Sequence, residues 1–439
     1  MENPNEQAAQ QSPKTYKVII AVNTPHGVGY FADSEGRFLF RKQFEKVSCF
    51  FEGLAPVEQN GKWGYINTQG EVIIPCIYDA AESFHEDLAP VKQNGKWGFI
   101  NTKGEVIAPC IYDFATWFSE GLARVRQNDK YGFINPKGEV VAPCIYDWVA
   151  WKFSEGLAQV KQNGKWGFIN TKGEVIAPCI YDEAESFHEG LAPVKQNGKR
   201  GYINTQGEVI IPCINDYAGH FSEGLAQVER NYKCGFINTK GEVVIPCIYN
   251  HAWNFHEGLA RVKQGEWLNG EYGFINPQGE VVVPCIYDDT RWFSEGLAPV
   301  KQNGKWGFIN PKGEVIAPCI YDKEAWFSEG LARVMQNGKW GFINTKGEEI
   351  APCIYDDAGH FSEGLAQVKL GDWENDKDGY INTKGWVVIP YIYDVAWDFS
   401  EGLAGVEQNG KGSIINKEGK VIVAECDVRE THWSKVEME

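Results

Sequence analysis

The chain has 439 residues and a formal net charge of −17, because 42 Lys and Arg residues stand against 59 Asp and Glu residues. This acidic balance, without a clustered basic face, argues against nucleic-acid binding, since neutralising phosphates requires clustered Lys and Arg. Hydrophobic residues make up 43% and aromatic residues 13% of the chain, which is enough for a core and unlike a disordered composition. We therefore predict a folded protein without a nucleic-acid partner.

The first fifteen residues are polar and lack the apolar segment of a signal peptide. Further along, no stretch approaches the ~18 consecutive apolar residues that a membrane-spanning helix requires. We predict a disordered tail over residues 1–15, no membrane span, and a cytoplasmic location.

The dominant feature of the sequence is a repeat of about 34 residues, whose clearest copy starts at Gly156 and reads GLAQVKQNGKWGFINTKGEVIAPCIYDEAESFHE. Successive copies open on a leucine at spacings of 34, 35 or 38 residues: Leu54, Leu88, Leu122, Leu157, Leu191, Leu225, Leu259, Leu297, Leu331, Leu365 and Leu403. We predict eleven repeats over residues 54–427, the last of them a cap. A degenerate capping repeat over 16–53 precedes them, and a polar C-terminal tail over 428–439 follows.

Within each repeat, turn signals come about ten residues apart, which favours strands over helices. In the copy that opens at Leu88, Asn94-Gly95 separates two β-prone runs, the strongest short-range signal for a hairpin. A second turn follows at residues 102–104, and Pro109 interrupts the third run. We predict a three-stranded antiparallel unit with strands at 88–93, 97–101 and 105–107, and an irregular return to Phe118.

A unit of this size buries too little apolar surface to be stable alone, so neighbouring units must cover each other. The predicted core positions, with their equivalents in other repeats, are Leu88, Val91, Phe99, Ile100, Val106, Ile111, Tyr112 and Phe118. Because closed β-propellers typically have about four to eight blades, eleven or twelve units predict an all-β, open, superhelical array of repeats. The alternative is a closed β-propeller-like ring, or two consecutive rings.

The phrase Lys-Trp-Gly recurs at residues 62–64, 96–98, 165–167, 305–307 and 339–341, each time followed by Ile-Asn and a Gly-Glu turn. In this phrase the sequence resembles the WG-repeat (KWG) family of bacterial β-repeat proteins. The resemblance implies a β-rich repeat array that serves as an interaction module, and it brings no catalytic residues. Other residue types replace the tryptophan at Tyr131, Arg200, Cys234, Tyr272 and Asp378.

Nine of the twelve cysteines occupy one position, directly after the proline of the third run. With one cysteine per repeat and no CxxC motif, we expect no zinc site and no cofactor. The pattern favours small buried residues in a reducing compartment. Serial disulfides between adjacent repeats are the alternative, which would require oxidising surroundings.

Carboxylates also recur, as an Asp after Ile-Tyr and a Glu before Gly-Leu. Glycoside hydrolysis needs one carboxylate pair in two different environments, which ten equal copies do not provide. We predict that these side chains bond turn amides. Weak calcium binding stays an alternative, although neither an EF-hand loop nor the nonapeptide pattern occurs. No GxSxG, P-loop, HExxH or GxGxxG motif is present, so we predict that the protein is not an enzyme.

About four residues between the Tyr-Asp and the Phe of each repeat differ almost every time, whereas the rest is constant. We call these segments the variable windows: residues 80–83, 114–117, 148–152, 183–186, 217–220, 251–254, 289–292, 323–326, 357–360 and 395–398. Trp, Tyr and Arg, which binding hot spots favour, are frequent in them. The candidate binding residues are Trp117, Trp148, Trp151, Tyr217, His220, His251, Trp253, Arg291, Trp292, Trp326, His360 and Trp397.

Two four-residue insertions lengthen hairpin loops, at residues 265–270 and 371–378, and they add Trp267 and Trp373 to the candidates, because inserted loops often carry function. The competing interpretation of the window tryptophans is that they fill gaps between repeats. We predict a non-catalytic scaffold that binds a protein or peptide, with a basic partner favoured by the acidic surface. A carbohydrate- or cell-surface-binding module is the alternative, since tryptophan faces also stack on sugars.

Overall fold

A computed structural model describes residues 15–40, 42–265, 270–324, 326–371 and 376–438. These residues form 47 β-strands and no helix. The first sixteen strands are β1 (Thr15–Asn23), β2 (Gly29–Asp33), β3 (Lys46–Val47), β4 (Leu54–Gln59), β5 (Lys62–Asn67), β6 (Val72–Tyr78), β7 (Ala80–Ala81), β8 (Leu88–Gln93), β9 (Lys96–Asn101), β10 (Val106–Tyr112), β11 (Phe114–Ala115), β12 (Ala123–Gln127), β13 (Lys130–Ile134), β14 (Val140–Tyr146), β15 (Trp148–Val149) and β16 (Leu157–Gln162).

The next sixteen are β17 (Lys165–Asn170), β18 (Val175–Tyr181), β19 (Glu183–Ala184), β20 (Leu191–Gln196), β21 (Lys199–Asn204), β22 (Val209–Asn215), β23 (Tyr217–Ser222), β24 (Leu225–Arg230), β25 (Lys233–Asn238), β26 (Val243–Tyr249), β27 (His251–His256), β28 (Leu259–Gln264), β29 (Glu271–Ile275), β30 (Val281–Tyr287), β31 (Asp289–Thr290) and β32 (Ala298–Gln302). The last fifteen are β33 (Lys305–Ile309), β34 (Val315–Tyr321), β35 (Lys323–Glu324), β36 (Leu331–Gln336), β37 (Lys339–Asn344), β38 (Glu349–Tyr355), β39 (Asp357–Ala358), β40 (Leu365–Leu370), β41 (Lys377–Asn382), β42 (Val387–Tyr393), β43 (Val395–Ala396), β44 (Leu403–Gln408), β45 (Lys411–Asn416), β46 (Val421–Cys426) and β47 (His432–Met438).

The chain divides into two compact units, unit 1 with residues 1–118 and 399–439, and unit 2 with residues 119–398. Unit 1 contains two complete four-stranded antiparallel sheets, β3–β6 and β7–β10. Unit 2 contains seven: β15–β18, β19–β22, β23–β26, β27–β30, β31–β34, β35–β38 and β39–β42. The three long strands recur in β12–β14 of unit 2 and in β44–β46 of unit 1. The predicted all-β tandem repeat is therefore confirmed.

Each complete sheet has four strands rather than the three that we predicted, because the variable window supplies a short additional strand. In the window 183–186, Glu183 lies opposite Lys195 and Ala184 opposite Val194, so β19 pairs with β20 of the following repeat. Strand pairing uses backbone amides and carbonyls, which every residue except proline supplies whatever its side chain. A window without a sequence pattern can therefore still form a strand. Because the residues of the windows vary, we did not predict this strand.

Two tight turns shape each repeat, and both have positive φ at their two central residues, as type I′ hairpins require. The predicted turn at Asn94 and Gly95 has φ values of 53° and 77°. The second is a Glu-Gly turn, which we did not predict to be a hairpin. Its example at Glu120 and Gly121 has φ values of 55° and 73°. This second turn links the end of each variable window to the first long strand.

The third long strand runs through its proline instead of ending before it. Strand β10 covers Val106–Tyr112, and its register against β9 shifts twice, on either side of Ala108. As the edge strand of its sheet, it tolerates Pro109, which lacks an amide donor. Six of the eight predicted core positions are buried, but Val106 and Ile111 are 64% and 43% exposed, so their placement in the core was wrong. The register shifts of this edge strand turn both side chains to solvent.

The hydrophobic core lies between consecutive sheets, as the need for mutual cover predicts. One cluster combines Leu157, Phe168, Ala177 and Tyr181 of the sheet β15–β18 with Phe187, Ala192, Val194 and Ile203 of the sheet β19–β22. The rings of Phe168 and Phe187 meet edge to face at 5.0 Å between centroids. Burying a phenylalanine contributes roughly 1.5–3 kcal/mol, so each joint stabilises both of its repeats.

The first and last strands of the array pair with each other inside unit 1. Strand β1 lies between β2 and β47, with Thr15 opposite Met438 and Ala21 opposite His432. This pairing satisfies edges that an open array would leave exposed. The open, superhelical arrangement is therefore wrong, and the alternative, a closed β-propeller-like arrangement, is the one that the strand pairing supports. Residues 1–14 of the predicted tail lie outside the described residues, and part of the predicted C-terminal tail is β47.

The recurring carboxylates bond turn amides, as predicted. Asp182 accepts a hydrogen bond from the backbone N–H of Asn197 at 2.9 Å and pairs with the ammonium of Lys165. That ammonium holds the pKa of Asp182 below its ordinary value. Glu155 accepts from the backbone N–H of Gly190 in the next repeat at 2.9 Å. These contacts lock each repeat to its neighbour.

The nine cysteines that follow the prolines are half-buried, so the prediction of fully buried residues was too strong. Cys179 donates from Sγ to the carbonyl of Val160 at 3.8 Å, and burial raises the pKa of its thiol. All twelve cysteines are free, in contrast to the serial-disulfide alternative. We therefore explain this cysteine position by packing, because a small side chain fits there beside a neighbouring strand.

Candidate binding site

The structure separates the predicted window residues by their exposure. Five candidates are exposed: Trp117, Trp151, Tyr217, Trp326 and His360. Seven are half-buried: Trp148, His220, His251, Trp253, Arg291, Trp292 and Trp397. The loop candidates Trp267 and Trp373 lie outside the described residues. Candidates therefore have to be judged by their position within the window and by what they contact.

Trp148 and Trp253 are held by contacts within their own sheets. The ring of Trp148 packs edge to face on that of Trp166, with the centroids 5.1 Å apart. Trp253 lies under the guanidinium of Arg261, at 3.7 Å from the ring centroid, and 5.9 Å from the ring of Tyr272. For these two residues the competing interpretation, filling space in the fold, describes the contacts better than ligand binding does.

Two other window tryptophans, Trp292 and Trp326, come together at one pocket in unit 2. The pocket has a volume of about 410 Å³ and is lined by Ser222, Asn254, Phe255, His256, Trp292, Phe293, Ser294 and Trp326. We call it the tryptophan pocket. Asn254, Trp292 and Trp326 hold the last position of three consecutive windows, so the repeat itself brings them together. Its volume suits one large side chain or one sugar ring.

The walls of the tryptophan pocket are fixed by the packing beneath it. Phe255 and Phe293, which directly follow two windows, are 1% and 2% exposed. Each meets an aromatic ring of the preceding sheet edge to face, Phe236 at 4.9 Å and Phe274 at 5.0 Å. These contacts anchor the windows on both sides and leave the pocket preformed, which lowers the entropic cost of binding.

Arg261 supports Trp292 from within the fold. Its Nη1 donates to the carbonyl of Thr290 at 2.6 Å, and its guanidinium lies 5.5 Å from the centroid of the Trp292 ring. Burial lowers the pKa of this guanidinium, although it stays charged at neutral pH. Arg261 was not among the predicted site residues. The sequence did contain a signal for Arg261, because the residue type at this position varies between repeats: equivalent positions hold Pro193, Gln227 or Arg333.

Acidic turns follow the residues that line the tryptophan pocket. Glu223, Glu257 and Glu295 come directly after Ser222, His256 and Ser294 and are exposed. Two of these carboxylates also bond the next turn, Glu223 through the N–H of Gly258 at 3.1 Å and Glu295 through that of Gly330 at 2.9 Å. We call these three turns, which adjoin lining residues of the pocket in the sequence, the acidic rim.

A second constellation in unit 2, which we call the charged cluster, consists of Glu183, Glu185, His188, Arg200 and His220. Arg200 stands where most repeats have tryptophan, and it pairs with Glu185 and, through Nη2, with Glu183 at 2.7 Å. His220 Nε2 contacts Glu185 Oε2 at 3.0 Å, and the rings of His220 and His188 are 4.3 Å apart. Hydrogen bonds from His220 and Arg200 lower the pKa of Glu185.

The charged cluster was predicted only in part, through His220 and through Tyr217, whose ring lies 5.3 Å from the Arg200 guanidinium. The sequence does contain a signal for the rest. An arginine in the tryptophan position of one repeat coincides with two glutamates in the window just before it. Reading the two positions together would have predicted the ion pairs.

Two other exposed candidates, Trp117 and Trp151, pack against side chains outside the tryptophan pocket and the charged cluster. In unit 1, Trp117 stacks on His85 at 5.5 Å, and His85 in turn on Phe51 at 5.5 Å. In unit 2, Trp151 covers the buried guanidinium of Arg124 at 3.6 Å. Both are exposed aromatic surfaces.

The other candidates contact neighbours within their unit. Burial and the charge of Arg333 lower the pKa of His360, and burial and Lys263 lower that of His251. Arg291 pairs with Asp289 at 3.5 Å and with Glu324 at 3.4 Å. Trp397 accepts the hydroxyl of Tyr380 on its backbone carbonyl at 2.6 Å.

Within the described ranges, no three His, Cys, Asp or Glu side chains come close enough to hold a metal ion. In the same part of the chain, no helix has the length and apolarity to cross a membrane.

The family model described as "WG containing repeat" matches the chain eleven times, at residues 31–63, 63–97, 97–131, 131–166, 166–199, 201–234, 235–266, 272–306, 306–340, 340–372 and 379–411. No curated protein matches the sequence. The resemblance seen in the sequence is thereby confirmed over nearly the whole chain.

Solved structures give only distant likenesses. A eukaryotic initiation factor is 10% identical with a TM-score of 0.37, covering 72% of this chain and 98% of the other. The tricorn protease is 9% identical with a TM-score of 0.24, covering 93% of this chain and 58% of the other. An extracellular domain assigned to a hybrid two-component system of B. thetaiotaomicron is 9% identical with a TM-score of 0.23, covering 91% and 71%. At these TM-scores the likenesses carry no argument about function.

Proposed function

The chain belongs to the family of proteins built from the WG-containing repeat, and from that premise we propose that it is a non-catalytic scaffold that binds a protein or peptide through its variable windows. The repeat keeps its strands, turns and core constant while the windows differ. A scaffold of this kind displays dissimilar side chains at equivalent places, which is how a repeat array acquires specificity.

The observation that carries the proposal is the tryptophan pocket. It brings Trp292 and Trp326 to a preformed concave surface, where Trp326 is 44% exposed. Tryptophan contributes a large contact area at a low cost in side-chain entropy, which makes it a frequent hot-spot residue. The proposal includes a cytoplasmic location, which the twelve free cysteines support.

The test compares two double variants. Trp292→Ala with Trp326→Ala removes the pocket walls, whereas Tyr232→Ala with Trp386→Ala removes two aromatic side chains that are 87% and 65% exposed outside the windows. Each protein is screened against a displayed library of random peptides and against a glycan array. We expect the wild type and the control variant to select the same peptides, and the pocket variant to lose at least about tenfold in affinity.

Circular dichroism and the urea midpoint monitor folding in the same samples, and we expect both variants to keep the wild-type values. Selective binding of glycans, with no peptide whose affinity depends on the two tryptophans, would replace the proposal with the carbohydrate-binding alternative. Equal loss of peptide binding in the control variant would also contradict it.

A further inference from the structure

We propose that the tryptophan pocket takes a cationic side chain, arginine or lysine, from the bound partner, an inference that rests on the proposed function and specifies its ligand chemistry. Four polar residues line the pocket, Ser222, Asn254, His256 and Ser294, together with the indoles of Trp292 and Trp326 above two buried phenylalanine rings. The faces of aromatic rings attract cations. Among these rings, the indole attracts cations most strongly.

The charges around the tryptophan pocket favour the same ligand. The three windows that contribute to it, residues 251–254, 289–292 and 323–326, are neutral in sum, because Asp289 offsets Arg291 and Lys323 offsets Glu324. The three adjoining turns contribute Glu223, Glu257 and Glu295 and no Lys or Arg. Counting the +1 of Arg261 against these three carboxylates leaves a local charge of −2.

The cations already present nearby are occupied within the fold. Arg261 donates to the Thr290 carbonyl and lies over Trp253, and Arg291 pairs with Asp289 and Glu324. Among the charged groups of the three turns, Glu257 is exposed and directly follows the lining residue His256. The guanidinium or ammonium of a partner that enters between the indoles therefore need not displace an internal ion pair, and the turns that adjoin the lining residues in the sequence carry carboxylates.

The uncharged alternative, a leucine or phenylalanine side chain, would gain from the aromatic walls alone. It would gain nothing from the acidic turns, and its affinity would not depend on salt. Charge and salt therefore distinguish the two classes of side chain directly.

The probe is a pair of peptides, acetyl-Gly-Gly-Arg-Gly-Gly-amide and its citrulline counterpart, which has nearly the same shape without the charge. The readout is the NMR signal of the indole N–H groups, assigned through Trp292→Phe and Trp326→Phe. We expect the arginine peptide to shift both signals and the citrulline peptide to bind at least about fivefold more weakly. High salt should reduce this difference.

The acidic rim is tested with Glu257→Gln combined with Glu295→Gln, which keeps hydrogen-bond acceptors but removes the charges. The control, Glu155→Gln, lies in the same kind of turn and accepts from Gly190 in the wild type. We expect the rim variant to bind the arginine peptide about threefold to tenfold more weakly and the control to bind as the wild type does.

Equal binding of the arginine and citrulline peptides, or no indole shift with the arginine peptide at millimolar concentration, would overturn the inference. Preferential binding of a leucine peptide at the same two indoles would overturn it too, yet leave the proposed function intact. If the library and array screens find only glycans, the proposed function fails instead.

Discussion

The charged cluster and the tryptophan pocket occupy equivalent places in different repeats of unit 2. Both lie beside a window that is followed by a buried phenylalanine, Phe221 in the first and Phe293 in the second. In the charged cluster Arg200 pairs with two glutamates of its own sheet, and His220 of the next sheet contacts one of them. In the tryptophan pocket aromatic side chains surround open space.

The difference shows how one backbone serves two purposes. Half-buried charges must be paired, because leaving one of them unpaired costs several kcal/mol. A ligand that competed for Arg200 or Glu185 would have to break existing pairs. An indole has no such requirement, so the tryptophan pocket can stay open without a large penalty and accept a partner.

The largest expected effect tests whether the charged cluster and the tryptophan pocket are anchored by the same kind of buried phenylalanine. Phe221→Ala and Phe293→Ala should each destabilise their joint by about 3–5 kcal/mol, because each ring is buried and packs edge to face on Tyr202 or Phe274. Urea unfolding and hydrogen exchange of the flanking strands measure the loss. A large loss in one variant with none in the other would show that the two windows are anchored differently.

An intermediate effect is expected from the ion pairs. Arg200→Met removes the shared partner of Glu183 and Glu185 and should cost about 1–3 kcal/mol of unfolding free energy. The matched change, Arg291→Met beside the tryptophan pocket, removes a more exposed arginine and should cost less than about 1 kcal/mol. Equal urea midpoints for the two variants would contradict the contrast between a paired and an open joint.

The smallest effect is a difference in carboxyl titration. Contacts with His220 and Arg200 lower the pKa of Glu185, whereas burial raises that of Glu324. Carbon-13 NMR should therefore find Glu185 titrating below, and Glu324 above, the ordinary value of about 4.3.

The two shifts have opposite consequences for stability. The contribution of Glu185 is present above its unfolded pKa and is lost as the pH falls through its lower folded pKa. Burying ionised Glu324 opposes folding at neutral pH, and this penalty disappears as the pH falls through its raised folded pKa. Arg200→Met should move the titration of Glu185 upward and leave that of Glu324 unchanged.

The repeat made part of this structure predictable. Asn94-Gly95 fixes a hairpin through local geometry, and the positions of Leu88 and Phe99 recur in every copy, so both could be read from the sequence. Exposure of Val106 could not, because it depends on a register shift in an edge strand. Nor could the exposure of Trp326 be separated from the packing of Trp148, since both are window tryptophans and only pairing decides which way each faces. Pairing through the backbone leaves no pattern of residue types in the sequence, so its effect on exposure could not be predicted.

The pairing of β1 with β47 has a consequence for synthesis on the ribosome. Strand β1 is synthesised before the repeats that follow it, yet its second neighbour, β47, ends with Met438. At about 5–20 residues per second, the interval is on the order of 20 to 80 s. Throughout that time one edge of β1 offers unpaired amides and carbonyls to any other nascent chain. Chaperone capture of translation intermediates should therefore concentrate on β1 and end only when β47 arrives.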